Sequence, residues 1–193
     1  MTRHFLTSFL LISLLSFRQS DANLKTNPAT GEDSSEYVKR AIDFIKQVEG
    51  QQLTNKNFIL ADKIFSIEYH DCLNQILTDT ATFSKDELDS IKSKKYVFIS
   101  NWTQDIFPNI KVISSDTIKS IFRDHTKGWP FFNENFGYSF SRFSFPIFLR
   151  NDMYCLFYSD YNCGGLCGRG RLILYKKEKD QWVEIKDYCH WVS

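Results

Sequence analysis

Nine residues near the end of the chain, Cys163-Gly164-Gly165-Leu166-Cys167-Gly168-Arg169-Gly170-Arg171, restrict what the segments around them can become. They hold two of the five cysteines and four of the eight glycines. Runs of β-forming residues flank them, Met153 to Ser159 on one side and Arg171 to Lys177 on the other. If these runs pair as a hairpin centred on Gly165, then 155 faces 175, 157 faces 173, and Cys163 faces Cys167. Directly opposed antiparallel residues lie ~4.5–5.5 Å apart at Cα, inside the range a disulfide accepts. Gly164-Gly165-Leu166 becomes a three-residue loop, and glycine supplies the positive φ that such loops require. The spacing predicts a Cys163–Cys167 disulfide that pins a hairpin tip.

Other chemistry is open to the same residues. A redox pair needs an activated thiolate, which Arg169 and Arg171 would favour, but the Cys-x-x-Cys spacing at a helix start is missing. A metal site would add His190 or Cys189 to Cys163 and Cys167, a soft set suited to Cu(I) or Zn. An anion site would use the N–H groups of Gly168 and Gly170 with the guanidinium forks of Arg169 and Arg171, which match carboxylate or phosphate. That site is compatible with the disulfide, and it is not a P-loop, since no Lys-Ser/Thr follows. The plainer reading is that both arginines solvate a sheet edge.

Cys155 and Cys189 fall on strands that flank 171–177, two spacings or ~9.5 Å apart, beyond disulfide reach. Cys155 is expected as a buried free thiol. Cys189 reaches Cys72 only if the first half of the chain packs there, which nothing in the sequence requires. Five cysteines leave at least one unpaired within a monomer.

The N-terminus reads as an export signal. Arg3 and His4 precede an apolar run from Phe5 to Phe17, and Ser20-Asp21-Ala22 offers small residues at the cleavage spacing. The run is shorter than the ~20 residues of a membrane span. Residues 1–22 are thus expected as signal peptide, and no stable span remains after its removal. Cleavage removes Arg3, Arg18 and Asp21, leaving 22 basic and 22 acidic residues of the original 24 and 23. A neutral chain has no electrostatic case for nucleic acid as a partner. The predicted location is exported, periplasmic or secreted.

Asn23 to Asp33 is polar and carries Asn27-Pro28 and Gly31, a flexible leader. Asp33 with Glu36 resembles a capping box, and Val38, Ala41, Ile42, Ile45 and Val48 follow helical spacing until Gly50. Residues 58–78 fit either a helix or a strand over Ile64 to Tyr69. Ser84 with Glu87 makes a second capping box, and Ser115-Asp116 caps a short helix through Phe122. Tyr96 to Ile99 and Lys111 to Ile113 are β-like. From Gly137 strands dominate, with a change of phase near Ser141-Arg142 that predicts a bulge or break. Pro146 confines its segment to an edge or a strand end. Trp182 to Lys186 closes an antiparallel meander across Glu178-Lys179-Asp180. The expected fold is a single α+β domain over 34–193, N-terminal helices packed on a C-terminal antiparallel β-meander.

The stretch from Phe143 to Ser193 resembles a family of uncharacterised exported bacterial proteins. The shared pattern is a strand such as Phe145-Pro146-Ile147-Phe148, a strand like Tyr154-Cys155-Leu156-Phe157-Tyr158, the Cys-Gly-Gly-Leu-Cys-Gly loop, Trp182, and a terminal Trp191-Val192-Ser193. The loop is its specific element. That family carries no established activity, so the resemblance implies export and sheet topology alone. It also argues against the eukaryotic pathway in which the sequon Asn101-Trp102-Thr103 would be glycosylated.

Catalytic signals are sparse. His70, His125 and His190 remain after signal removal, and the adjacent Asp71 and Asp124 are badly placed to orient them. No Gly-x-Ser-x-Gly elbow or His-Glu-x-x-His helix occurs. The aromatic run from Trp129 to Phe148 reads as filling between sheet and helices, with sugar stacking or partner binding as the alternative. The leading expectation is a non-enzymatic binding or interaction module that contacts an unknown protein or a small anionic ligand around 160–171. A hydrolase using His125 or His190, and a thiol-redox or copper-handling protein using Cys163 and Cys167, are the alternatives. Nothing in the sequence calls for a cofactor or a resident metal.

Overall fold

Three long strands frame the molecule: β5 (Tyr154–Gly164), β6 (Cys167–Glu178) and β7 (Gln181–Val192). The computed structural model describes residues 34–68 and 72–193. The expected signal and leader, Asp33 of the first capping box, and His70 with Asp71 lie outside the described residues. Before β5 come α1 (Ser34–Val48), α2 (Gly50–Leu53), β1 (Ile59–Ala61), α3 (Cys72–Leu77), α4 (Lys85–Ser93), β2 (Lys111–Ile113), α5 (Ser115–Arg123), α6 (Gly128–Asn135), β3 (Phe140–Phe143) and β4 (Ile147–Leu149). The strand order is β2-β1-β3-β5-β6-β7, with β4 paired to β5. The α+β class and the C-terminal meander hold.

The expected hairpin register is present, with Cys155 opposite Tyr175 and Phe157 opposite Ile173. It continues to Asn162 opposite Gly168, then shifts so that Gly164 pairs with Cys167. The loop is therefore Gly165-Leu166 rather than three residues. Gly164 absorbs the extra residue at φ 153°, a conformation for which a side chain is poorly suited. The Cys163–Cys167 disulfide closes across this bulge with Cα atoms 5.0 Å apart. At the other end Lys179 and Asp180 both take positive φ, 49° and 65°, between the paired Glu178 and Gln181. That two-residue turn matches the strand twist.

The sheet departs from a purely C-terminal meander. β1 and β2 come from the first half, and β1 runs parallel to both β2 and β3. The strand in the ambiguous region is Ile59–Ala61, whose three residues are buried on both faces, and 64–68 forms none. Ile59 and Ala61 meet α5 and α6, whereas Leu60 meets the α1 side. A short, wholly apolar run suits a covered parallel strand. Tyr96 to Ile99 forms no strand; Phe98 is instead buried against Tyr37.

The phase change sits two residues later than expected. Phe143 pairs with Ser159 and Ile147 with Leu156, so the register slips by one across Ser144-Phe145-Pro146. The Tyr37 hydroxyl bridges the irregularity, donating to the Pro146 carbonyl and accepting from the Phe148 N–H, both at 3.1 Å. β4 pairs with β5 alone, as the proline requires.

α1 buries Tyr37, Ala41, Phe44 and Ile45. The buried stripe is thus rotated from the expected one, with Val38 and Ile42 at its margin. Phe44 makes edge-on contacts with Phe148, Phe157, Tyr175 and Trp182. Gly50 does not end the helical path but begins α2. Glu49 is the joint: its N–H donates to Ile45, and its carbonyl accepts from Gln52 and Leu53. The capping box of α4 forms as expected between Ser84 and Glu87. α5 begins at Ser115, but its first N–H is capped by the Asp62 carboxylate at 2.7 Å, supplied by the end of β1. α6 holds Trp129 and Phe132 in a third core with Phe140.

The opposite sheet face is covered by α3 and α4, where Ile76, Ile91, Leu156, Tyr158, Leu172 and Leu174 are buried. Here Cys72 is bonded to Cys189, with Cα atoms 5.2 Å apart. The first half does pack against the C-terminal strand. Cys155 is the free thiol, fully buried, and desolvation raises its pKa well above the ordinary value, so it is chemically quiet. Two disulfides mark a chain that matures in an oxidising compartment. Among the described residues no helix is long and apolar enough to cross a membrane.

The two disulfides close loops of very different length, 117 and 4 residues of separation. On the chain-entropy relation the longer one contributes about 5 kcal/mol and the shorter about 2 kcal/mol. Denaturant unfolding of Cys72→Ser/Cys189→Ser and Cys163→Ser/Cys167→Ser is expected to show that order, with the larger loss from the first pair.

Candidate functional site

The nine-residue motif divides into parts with different surroundings. Leu166 at the tip is 92% exposed. Arg169 and Arg171 alternate with Gly170 and project on the same face as Ile173 and Tyr175, toward the α1–α2 joint. Arg171 is engaged: its Nε donates to Asp187 at 3.0 Å and its Nη2 to Glu184 at 2.8 Å. Arg169 is exposed, and no ion pair or side-chain hydrogen bond holds it among the described residues.

Gly168 and Gly170 are both inside the paired strand, opposite Asn162 and Asp160. The Trp191 indole lies across them. A Cβ on Gly170 would stand 2.5 Å from the Tyr158 hydroxyl and closer still to Trp191 Nε1. One on Gly168 would meet the Trp191 ring at 2.9 Å. These two glycines make room for the indole, whose N–H donates to the Tyr158 hydroxyl at 2.9 Å.

Beneath the indole lies a closed polar network. Asp160, 4% exposed, accepts from the Arg142 backbone N–H at 3.0 Å and from its Nε at 2.8 Å. It also accepts from the Tyr158 hydroxyl and from Asn162 Nδ2. The Arg142 guanidinium stacks 4.5 Å over Phe65, whose ring in turn lies on Tyr158. A buried carboxylate with this many donors fixes the stem of the hairpin.

On the other face the stem floors a polar cleft of about 210 Å³. Ser159 and Tyr161 of β5, Arg169, Arg171 and Tyr175 of β6, and Glu184 of β7 form its base and walls, and Glu49 and Gln52 close it from above. Glu49 is 8% exposed. Gln52 Nε2 donates to its carboxylate at 2.9 Å, and the Ser159 hydroxyl is hydrogen-bonded to it. Burial pushes the Glu49 carboxyl above its ordinary range; Ser159 and the Arg169 charge pull the other way, and Glu184 adds to the rise. A buried, perturbed carboxyl among converging polar groups makes this cleft the candidate site. A cavity of similar size beside it, about 220 Å³, is lined by Leu53, Phe107 and Ile110 and holds no buried ionisable side chain.

Of the expected site residues, Arg169, Gly170 and Arg171 border this cleft. The histidines do not. His125 is exposed on the α5–α6 turn, and His190 is exposed on β7 at the other end of the strand order. The Asp124 carboxylate serves Thr126 and Lys127, not His125, and those bonds hold its pKa down at about 2. Cys163 and Cys167 are bonded to each other, and no group of three or more His, Cys, Asp or Glu able to hold a metal ion occurs among the described residues.

Glu49, Gln52, Ser159 and Tyr175 escaped the sequence reading. One signal was available for Glu49: it follows Ile45 by four residues, so it continues the buried stripe of α1 where an apolar residue would be expected. Comparison with protein-family models, curated proteins and solved structures finds no match to the chain.

Two outcomes test this geometry. A group whose folded pKa is raised contributes most to stability below its unfolded pKa, and that contribution is lost as pH rises through the folded value. Unfolding of wild type and Glu49→Gln from pH 4 to 8 should therefore show the wild type losing ground to the variant as pH rises. Gly170→Ala should cost ~1–3 kcal/mol through overpacking, whereas Gly165→Ala, with open space around it, should change little.

Proposed function

We propose that this protein is an exported binding module, periplasmic or secreted, that captures a small anionic ligand in the cleft between the α1–α2 joint and the stem of the Cys163–Cys167 hairpin. The observation that carries the reading is the unequal state of the two arginines. Arg171 is paired with Glu184 and Asp187, whereas Arg169, which also lines the cleft, makes no ion pair or side-chain hydrogen bond among the described residues and acts on Glu49 through its charge alone. A carboxylate or phosphate would take that guanidinium as a charge-assisted pair. Glu49 is suited to the same task when protonated, because a neutral carboxyl donates to an anion and an ionised one repels it. Gln52, Ser159 and Tyr161 add neutral hydrogen-bonding groups.

The contact surface in this reading is the hairpin stem, 159–161 and 169–171, rather than the exposed tip. Export accords with the N-terminal signal pattern and with the two disulfides.

Calorimetric titration with inorganic phosphate, succinate and galacturonate tests the proposal. At least one should bind, and Arg169→Ala should weaken it tenfold or more, as expected for a charged hydrogen bond of ~1.5–3 kcal/mol. Affinity should fall as pH rises and Glu49 ionises. Equal affinity of wild type and Arg169→Ala would sink the reading.

A further inference from the structure

The cleft is small for a complete ligand. Its volume of about 210 Å³ falls below the ~300–1,000 Å³ usual for small-molecule sites. It opens, however, beside a wider groove of about 740 Å³, and the two share Gln52 and Tyr161 as lining residues. A molecule anchored on Arg169 therefore has its natural continuation along this groove.

The chemistry of the groove is distinctive. One wall is a row of carboxamides on α2 and the turn after it, Gln51, Gln52, Asn55 and Asn57. Gln51 and Asn57 offer both donors and an acceptor; Gln52 Nε2 already donates to Glu49 and Asn55 Oδ1 accepts from the Asn57 N–H, which leaves the Gln52 carbonyl oxygen and the Asn55 amide group. Lys56 and Lys111 also line the groove. Tyr138 lines the same groove and is 79% exposed, whereas the next most exposed aromatic among the described residues, Phe122, is at 37%. Every other member of the aromatic run around it is at least partly buried in the cores. Tyr138 follows Gly137, whose φ of 150° and close approach to Ile59 fix the backbone there. An uncovered phenol presents a flat apolar face with a polar edge.

Carboxamides in a row and a bare aromatic face in one groove suit a molecule with dense vicinal hydroxyls and flat C–H faces. We infer that the groove binds a saccharide and that the cleft takes its acid group, so that the ligand class is an acidic oligosaccharide with a uronate carboxylate on Arg169 and a neighbouring ring against Tyr138. This inference rests on the anion-binding reading of the cleft and adds the ligand class to it. A peptide with a terminal carboxylate would also satisfy the amides, but it would use the ring only through a proline or aromatic side chain, whereas every sugar ring offers a C–H face.

The test is calorimetric titration of the full chain with galacturonate, mannuronate and glucuronate, with oligomers of each, with neutral maltotriose, and with trialanine. At least one acidic oligomer should bind tenfold or more tighter than its own monomer and than maltotriose. Tyr138→Ala, at an exposed position, should abolish that gain and leave monomer binding unchanged; Arg169→Gln should weaken monomer and oligomer alike. If every oligomer binds no tighter than its monomer, or if Tyr138→Ala keeps the gain, the saccharide inference falls while anion capture by the cleft stands. Trialanine binding more tightly than every acidic oligomer would replace the saccharide with a peptide. If none of the uronates, inorganic phosphate and succinate binds, both readings fail.

Discussion

The coverage of β5 on both faces is the constraint from which the rest of the architecture follows. Cys155 and Phe157 are buried under α1, whereas Leu156 and Tyr158 are buried toward α3 and α4. A strand apolar in both directions cannot lie at an edge or face water, so helices must cover each side. β3 and β4 take one flank of β5 in two halves, and β6 takes the other. The parallel pair β1 and β2 then extends the sheet beyond β3, under α5 and α6.

The two polar systems on the hairpin stem differ in how their charges are met. On the α3–α4 side Asp160 is supplied by Arg142, Tyr158 and Asn162, so nothing is left for a ligand to do. On the α1 side the charges are only loosely met: Glu49 is hydrogen-bonded by neutral groups, and Arg169 acts on it through its charge, without an ion-pair contact among the described residues. The closed network holds the strands that present the other. Rigid support beneath and loosely met polarity above is the arrangement that preorganises a binding site.

Much of this was legible in the sequence because local spacing decided it. The hairpin register, the 163–167 bridge, the α4 capping box and the buried free Cys155 all follow from residues close together in the chain or from simple strand geometry. What escaped was decided at long range. Asp62 caps α5 from 53 residues away, and Cys72 meets Cys189 across 117. Gly168 and Gly170 looked like an exposed anion loop, whereas Trp191, the cross-strand partner of Gly170 in β7, lies over them; two register shifts between β6 and β7 hide that pairing from simple hairpin counting. Glu49 was hidden for a different reason: it continues the buried stripe of α1 four residues after Ile45, but a glutamate near a helix end is ordinarily solvent-facing.

The bond between Cys72 and Cys189 joins residues 117 apart and ties α3 to β7, which pairs only with β6 among the described strands. No turn brings these two cysteines together, so their oxidation follows the docking of α3 on the sheet. The bond thus records a tertiary contact already made, and reducing it frees an outer strand and its covering helix together.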